Sequence, residues 1–287
     1  MLLSTSRQVR LAVVTLLVIA AILMIAVIPF IGFDMVNPIV KAQQVRIEKF
    51  TAEGNPQAPL LALTVWLVSF FFPFWSTMSF IAGIVLLVIA LPLYRGERWT
   101  RGLALLCLAI PSIGGAYMIV PWMNFVGGGF PPAVTMMTIG LIPYFAILLA
   151  EKVDLTQKVV DFLVFLMLGV TAAENFANGH AAYRILFGHP ARPLFAEGIA
   201  ITYFGWLTLW VGMGLCIAAI YLLGEKKMSG WYAGMIGGLV TLIGSAAIHY
   251  VRHATLDYLY GALMGLSIVI MLLIPVFKKR LLTEFSS

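Results

Sequence analysis

The chain has 287 residues, of which 62% are hydrophobic and only 10% charged, and its mean hydropathy is +1.01. Soluble domains run at roughly 45–50% apolar and about 25% charged residues, so this balance excludes a soluble fold and predicts an all-α, polytopic transmembrane helix bundle. The net charge of +6 implies no nucleic-acid partner, because the basic residues flank apolar runs at intervals instead of gathering on one surface.

Crossing about 30 Å of hydrocarbon takes roughly 20 helical residues. On that measure the sequence predicts eight spans, at about 11–33, 74–93, 102–123, 132–150, 158–178, 198–223, 231–252 and 257–277, in a single integral membrane domain over 1–287. The first span follows a short basic leader with Arg7 and Arg10; its apolar core is too long for a signal peptide and no small-residue cleavage site follows it. Residues 34–58 carry Lys41, Arg46, Glu48, Lys49 and Glu53 and are expected as an outer loop, with Met35 to Phe50 as an interfacial helix. From Pro59 to Tyr94 the chain is almost uninterruptedly apolar and too long for one crossing. Pro73, which removes a backbone donor, is the expected break, leaving 59–72 as an interfacial or re-entrant segment.

Further along, Gly127-Gly128-Gly129-Phe130-Pro131-Pro132 marks a turn, and Glu225-Lys226-Lys227 and Lys278-Lys279-Arg280 mark charged stops. Cys107 and Cys216 lie inside apolar runs without CxxC spacing, as buried free thiols do. Gly230-x3-Gly234-x3-Gly238 and Gly261-x3-Gly265 predict close helix packing, since small residues let helices approach where lipid supplies no drive to associate. Tyr117, Trp122, Tyr203, Trp206 and Trp210 are membrane aromatics first and candidate ligand walls second.

Orientation follows from lysine and arginine. With the N-terminus inside, the cytoplasmic loops hold twelve of the eighteen basic residues, as the positive-inside rule favours. Eight spans then place both termini in the cytoplasm, with multi-pass residence in the cell membrane and the lipid bilayer as the first partner.

One polar island interrupts the hydrocarbon: Glu174, Asn175, Asn178, His180, Arg184 and His189, with His249 and His253 at the end of a later span. All four histidines fall on the non-cytoplasmic side. His249 and His253 are four apart and share a helix face. With His180 or Glu174 they make up the ligand number of a catalytic zinc site, so the candidate metal ligands are His180, His249, His253 and Glu174. Haem is the other candidate cofactor, held by His180 opposite His249 or His253; the bland alternative is histidines that simply satisfy hydrogen bonds at the headgroup level. Glu174, an ionisable group near hydrocarbon, calls for a partner. Arg184 and Arg252 are its natural ones, and a substrate- or proton-binding role is the alternative. Asp161 is read as sitting at a positive helix end.

Glu174, Asn178 and His180 with a later HxxxH resemble, as a constellation, the three-histidine zinc site of seven-span membrane hydrolases of the progestin and adiponectin receptor class. In that class the HxxxH lies in the final span, whereas here a further span follows, and the first four spans have no counterpart. No phosphate-binding loop, GxSxG, CxxCH or prenyl-transferase carboxylate pair is present in the sequence. Short loops and glycine ridges favour a scaffold or anchor subunit of a larger membrane complex, with other membrane subunits as partners. A metal-dependent intramembrane enzyme and a transporter of a small apolar or weakly polar solute are the alternatives.

Overall fold

The computed structural model describes residues 6–188, 199–252 and 255–283, and among them the chain is a bundle of ten helices. They are α1 (Arg7–Ala26), α2 (Ile28–Ala52), α3 (Ala58–Arg95), α4 (Trp99–Phe125), α5 (Ala133–Leu149), α6 (Leu155–Phe187), α7 (Ile199–Gly224), α8 (Met228–Val251), α9 (Asp257–Leu273) and α10 (Pro275–Leu282). Six of these helices are long and apolar enough to cross a membrane, and a seventh crossing is available if α9 and α10, bent by 77° at their break, act as one. Helix α5 is apolar but shorter, at 17 residues. The protein is a polytopic membrane helix bundle.

Two expectations for the first hundred residues are corrected. Residues 34–52 are helical, as expected over Met35 to Phe50, but they form no separate outer loop: α2 continues almost directly from α1, and the connection shortens to the turn before Ala58. The reason is a stripe of Ile28, Ile31, Gly32, Met35, Ile39 and Gln43, all buried, while Lys41, Glu48 and Lys49 occupy the other faces. That stripe recurs at three- and four-residue intervals, the spacing of one helical face, and it packs along α3. At its centre a Cβ on Gly32 would lie 2.2 Å from Ser76 Oγ, so the two helices nearly touch.

The break expected at Pro73 is also absent. Helix α3 runs unbroken for 38 residues, through Pro73 and Pro92, a rise of about 57 Å. Residues 59–72 are therefore the first part of that helix. Pro38, Pro111, Pro121 and Pro143 likewise sit inside helices. In hydrocarbon a broken helix would leave more backbone groups unpaired than the one carbonyl that proline strips of its partner, so the helix continues.

The glycine faces pack as their spacing predicts. A Cβ on Gly265 would lie 2.6 Å from the Gly238 carbonyl oxygen, and one on Gly238 would lie 2.9 Å from that of Gly265, so α8 and α9 meet backbone to backbone. Both cysteines are buried and free.

From α2 to α9 successive helices alternate in direction, which gathers their ends into two polar regions. One contains the starts of α4, α6 and α8 and the ends of α5 and α7. The other contains the ends of α4, α6 and α8 and the starts of α3, α7 and α9.

Candidate functional site

The C-terminal half of α6 carries the polar island. Glu174, Asn178, Ala181 and Arg184 succeed one another at three- or four-residue steps along a single face, and that face lines a chamber of about 470 Å³. Thr64 of α3, Asn124 of α4, Arg252 beyond α8, and Asp257 and Tyr258 of α9 complete its polar wall. Asn178 holds the wall together: its Nδ2 donates to Glu174 Oε1 at 3.0 Å and to the Asp257 carbonyl at 3.2 Å. His180 is 7% exposed; its Nδ1 is hydrogen bonded to the Tyr117 hydroxyl, and its ring lies 5.9 Å from that of Phe71. Phe176 and Trp210 stack behind this pair, fixing the imidazole in an aromatic cage.

Below the chamber a second space of about 230 Å³ opens between α4, α5 and α6, walled by Ile113, Ala116, Leu141, Phe145, Val170 and their neighbours. It is almost wholly apolar. Gly169 faces it, and a Cβ there would meet no atom within 4 Å. Tyr117, Val120, Glu174 and Ala177 line both spaces, so the apolar slot and the polar chamber adjoin across these four residues.

The chamber's charges are sorted. Glu174 lies within electrostatic reach of Asp257, Arg184 within reach of Arg252, and Tyr258 stands among all four. The ion pair expected between Glu174 and Arg184 or Arg252 does not form among the described residues: Glu174 takes its hydrogen bond from Asn178, and Arg184 donates to Thr64 Oγ1 at 3.4 Å. The Arg184 Nε is buried without a hydrogen-bond partner among the described residues.

Of the metal candidates, Glu174 and His180 share the chamber. His249 lies half-buried in the last turn of α8 and is not among the chamber walls. His253 and His189 lie outside the described residues. Among the described residues, no three His, Cys, Asp or Glu side chains stand close enough together to hold a metal ion.

A second constellation, at the opposite end of the bundle, went unread in the sequence. Arg101 of α4 is 1% exposed and Asp161 of α6 is fully buried. The Arg101 guanidinium pairs with Glu151 through two nitrogens, reaches Asp161 at 3.6 Å and donates to the Gly224 carbonyl at 2.7 Å. Lys226 approaches Asp161 from the other side at 3.7 Å, and Gln157 Nε2 donates to Asp161 at 2.9 Å. Burial raises the Glu151 carboxyl above its ordinary range against the opposing pull of Arg101. Burial, and then the charge of Arg101, lower Lys226 to about 8. Lys226 also holds the left-handed backbone (φ 57°) that ends α7, a position usually given to glycine. In sequence Lys226 reads as part of a charged stop beside a span and Asp161 as a carboxylate at a positive helix end. The only trace is that two basic and two acidic residues border the same set of helix ends.

No family model matches the chain, and no curated protein or solved structure resembles it at a significant level.

Proposed function

We propose that this is a multi-pass protein of the cell membrane that binds an amphiphile, its polar head in the chamber and its hydrocarbon tail in the slot. The carrying observation is the shared wall of Tyr117, Val120, Glu174 and Ala177, across which an apolar volume adjoins a polar one. Small-molecule sites are typically clefts of about 300–1,000 Å³ with a few convergent polar groups on apolar walls, and the two spaces together have that character. Ionisable side chains inside a membrane are costly and mark ligand or ion pathways by default. Glu174, Arg184 and Arg252, with no ion-pair partners among the described residues, fit that rule better than they fit a purely structural role. The basic-residue distribution supports cytoplasmic termini and a chamber that faces the non-cytoplasmic side.

Gly169→Phe tests the reading. The substitution fills the slot, and its Cβ meets open space. Replacing a helical glycine should leave stability unchanged or raise it by up to about 1 kcal/mol. Native mass spectrometry of the full chain in mild detergent is expected to show a bound amphiphile on the wild type and several-fold less on the variant, at equal thermal stability. Equal occupancy in both, or none on the wild type, would sink the proposal and leave a scaffold or anchor subunit in its place.

A further inference from the structure

The head group that suits the chamber follows from the order of its charges, and this step rests on the amphiphile reading above. Travelling outward from the slot along α6, a ligand meets Glu174 first, then Asn178, then Arg184. Residues 174 and 184 are separated by about 15 Å of helical rise. Arg252 lines the same chamber within electrostatic reach of Arg184, and the Tyr258 hydroxyl, which donates to the Asn178 carbonyl at 3.5 Å, feels both pairs of like charge. The inner end therefore offers an acceptor, the Glu174 carboxylate. The outer end offers two guanidiniums, neither held by a carboxylate among the described residues. Two guanidiniums that face one chamber within electrostatic reach repel until an anion sits between them, and their planar donor forks match phosphate geometry.

Hydrocarbon gains nothing by leaving lipid for an apolar slot, since lipid tails are as apolar as the leucines that replace them. Selectivity must then come from the head. We infer that the ligand is a single-chain amphiphile with hydrogen-bond donors next to the chain and a terminal phosphate monoester, the donors on Glu174 and the phosphate between Arg184 and Arg252. A phospholipid whose cationic group lies outermost has the reverse order and would set its ammonium against the two arginines.

Four probes with a common chain length test this on the full protein in a neutral detergent: a lysophosphatidic acid, the matching monoacylglycerol, an alkyl phosphate without hydroxyls, and an alkyl trimethylammonium. The lysophosphatidic acid is expected to bind tightest. Removing the phosphate should weaken binding about ten-fold or more, the worth of a charge-assisted hydrogen bond, and removing the hydroxyl should weaken it several-fold. Arg252→Gln should bring the lysophosphatidic acid to the monoacylglycerol level while leaving the monoacylglycerol unchanged; a misfolded variant would lose both. Monoacylglycerol or trimethylammonium binding as tight as lysophosphatidic acid overturns the head-group assignment and leaves the amphiphile reading standing. Binding by none of the four removes both.

Discussion

Arg101 shows how much one side chain holds together at the end of the bundle opposite the chamber. Its guanidinium serves Glu151, Asp161 and the Gly224 carbonyl at once, which ties α4 to the α5–α6 connection, to α6 and to the end of α7. Removing one partner of a buried ion pair typically costs about 3–5 kcal/mol, because the other charge stays buried and uncompensated. Arg101→Met is expected to fall in that range, and Arg101→Lys to lose a large part of it, since an ammonium cannot reproduce the fork. Thermal unfolding in detergent measures both. The loss should also depend on pH, with a definite sign. The folded-state carboxyl of Glu151 already lies above its ordinary value because burial outweighs Arg101, so without Arg101 it rises further. A carboxyl raised on folding contributes stability that is present below its ordinary range and lost as pH climbs through the raised value. The deficit of Arg101→Met relative to wild type should therefore be larger at pH 8 than at pH 5; a deficit that grows on acidification would refute the assignment.

At the scale of elements, the glycine faces of α8 and α9 separate two kinds of close approach. A Cβ at Gly265 would lie 2.6 Å from the Gly238 oxygen and 2.7 Å from the Leu242 nitrogen, both backbone atoms that cannot step aside. At Gly234 the nearest atom is Leu272 Cδ1 at 2.8 Å, the tip of a flexible side chain. Gly265→Ala is expected to destabilise by about 1–3 kcal/mol through overpacking. Gly234→Ala should be near neutral, helped by alanine's higher helix propensity. Melting temperatures in the reverse order would show that the two helices are not in backbone contact.

The same elements show what could be read beforehand. The spacing Gly230-x3-Gly234-x3-Gly238 displays its packing face outright. Helix α2 was legible only in part: a helix over Met35 to Phe50 was expected, but Lys41, Arg46, Glu48 and Lys49 point to an interfacial one, and the buried stripe of Met35, Ile39 and Gln43 becomes visible only once helical phase is assumed. Pro73 misled for a different reason: the penalty assigned to it belongs to helices in water. At the site, Glu174, Asn178, His180 and Arg184 were legible because they are neighbours on one helix. Tyr117 was legible only as a candidate ligand wall, and Thr64, Asp257 and Tyr258 were not legible at all, since only tertiary packing brings α3 and α9 against that face.

For the molecule as a whole, α6 is the ruler. From Asp161 to Arg184 it rises about 35 Å, close to the thickness of a hydrocarbon core of about 30 Å. The buried ion cluster and the two arginines of the chamber therefore fall near the two boundaries of the bilayer. Glu174, about 20 Å above Asp161 on the same measure, lies well inside the apolar layer, where the slot begins. The distribution of basic residues proposes which boundary faces the cytoplasm, and the structure offers clean positions at which to check it. Gly128, in the turn after α4, is exposed with ordinary φ, and a Cβ there meets nothing within 4 Å. Lys152, between α5 and α6, is exposed at the opposite end of the bundle. Cys107 and Cys216 are buried, so the native thiols give a quiet background. With cytoplasmic termini, a membrane-impermeant maleimide should label Gly128→Cys in intact cells and Lys152→Cys only after permeabilisation. The reverse pattern would turn the molecule over, placing the chamber and its arginines at the cytoplasmic leaflet and requiring any amphiphile to enter from there.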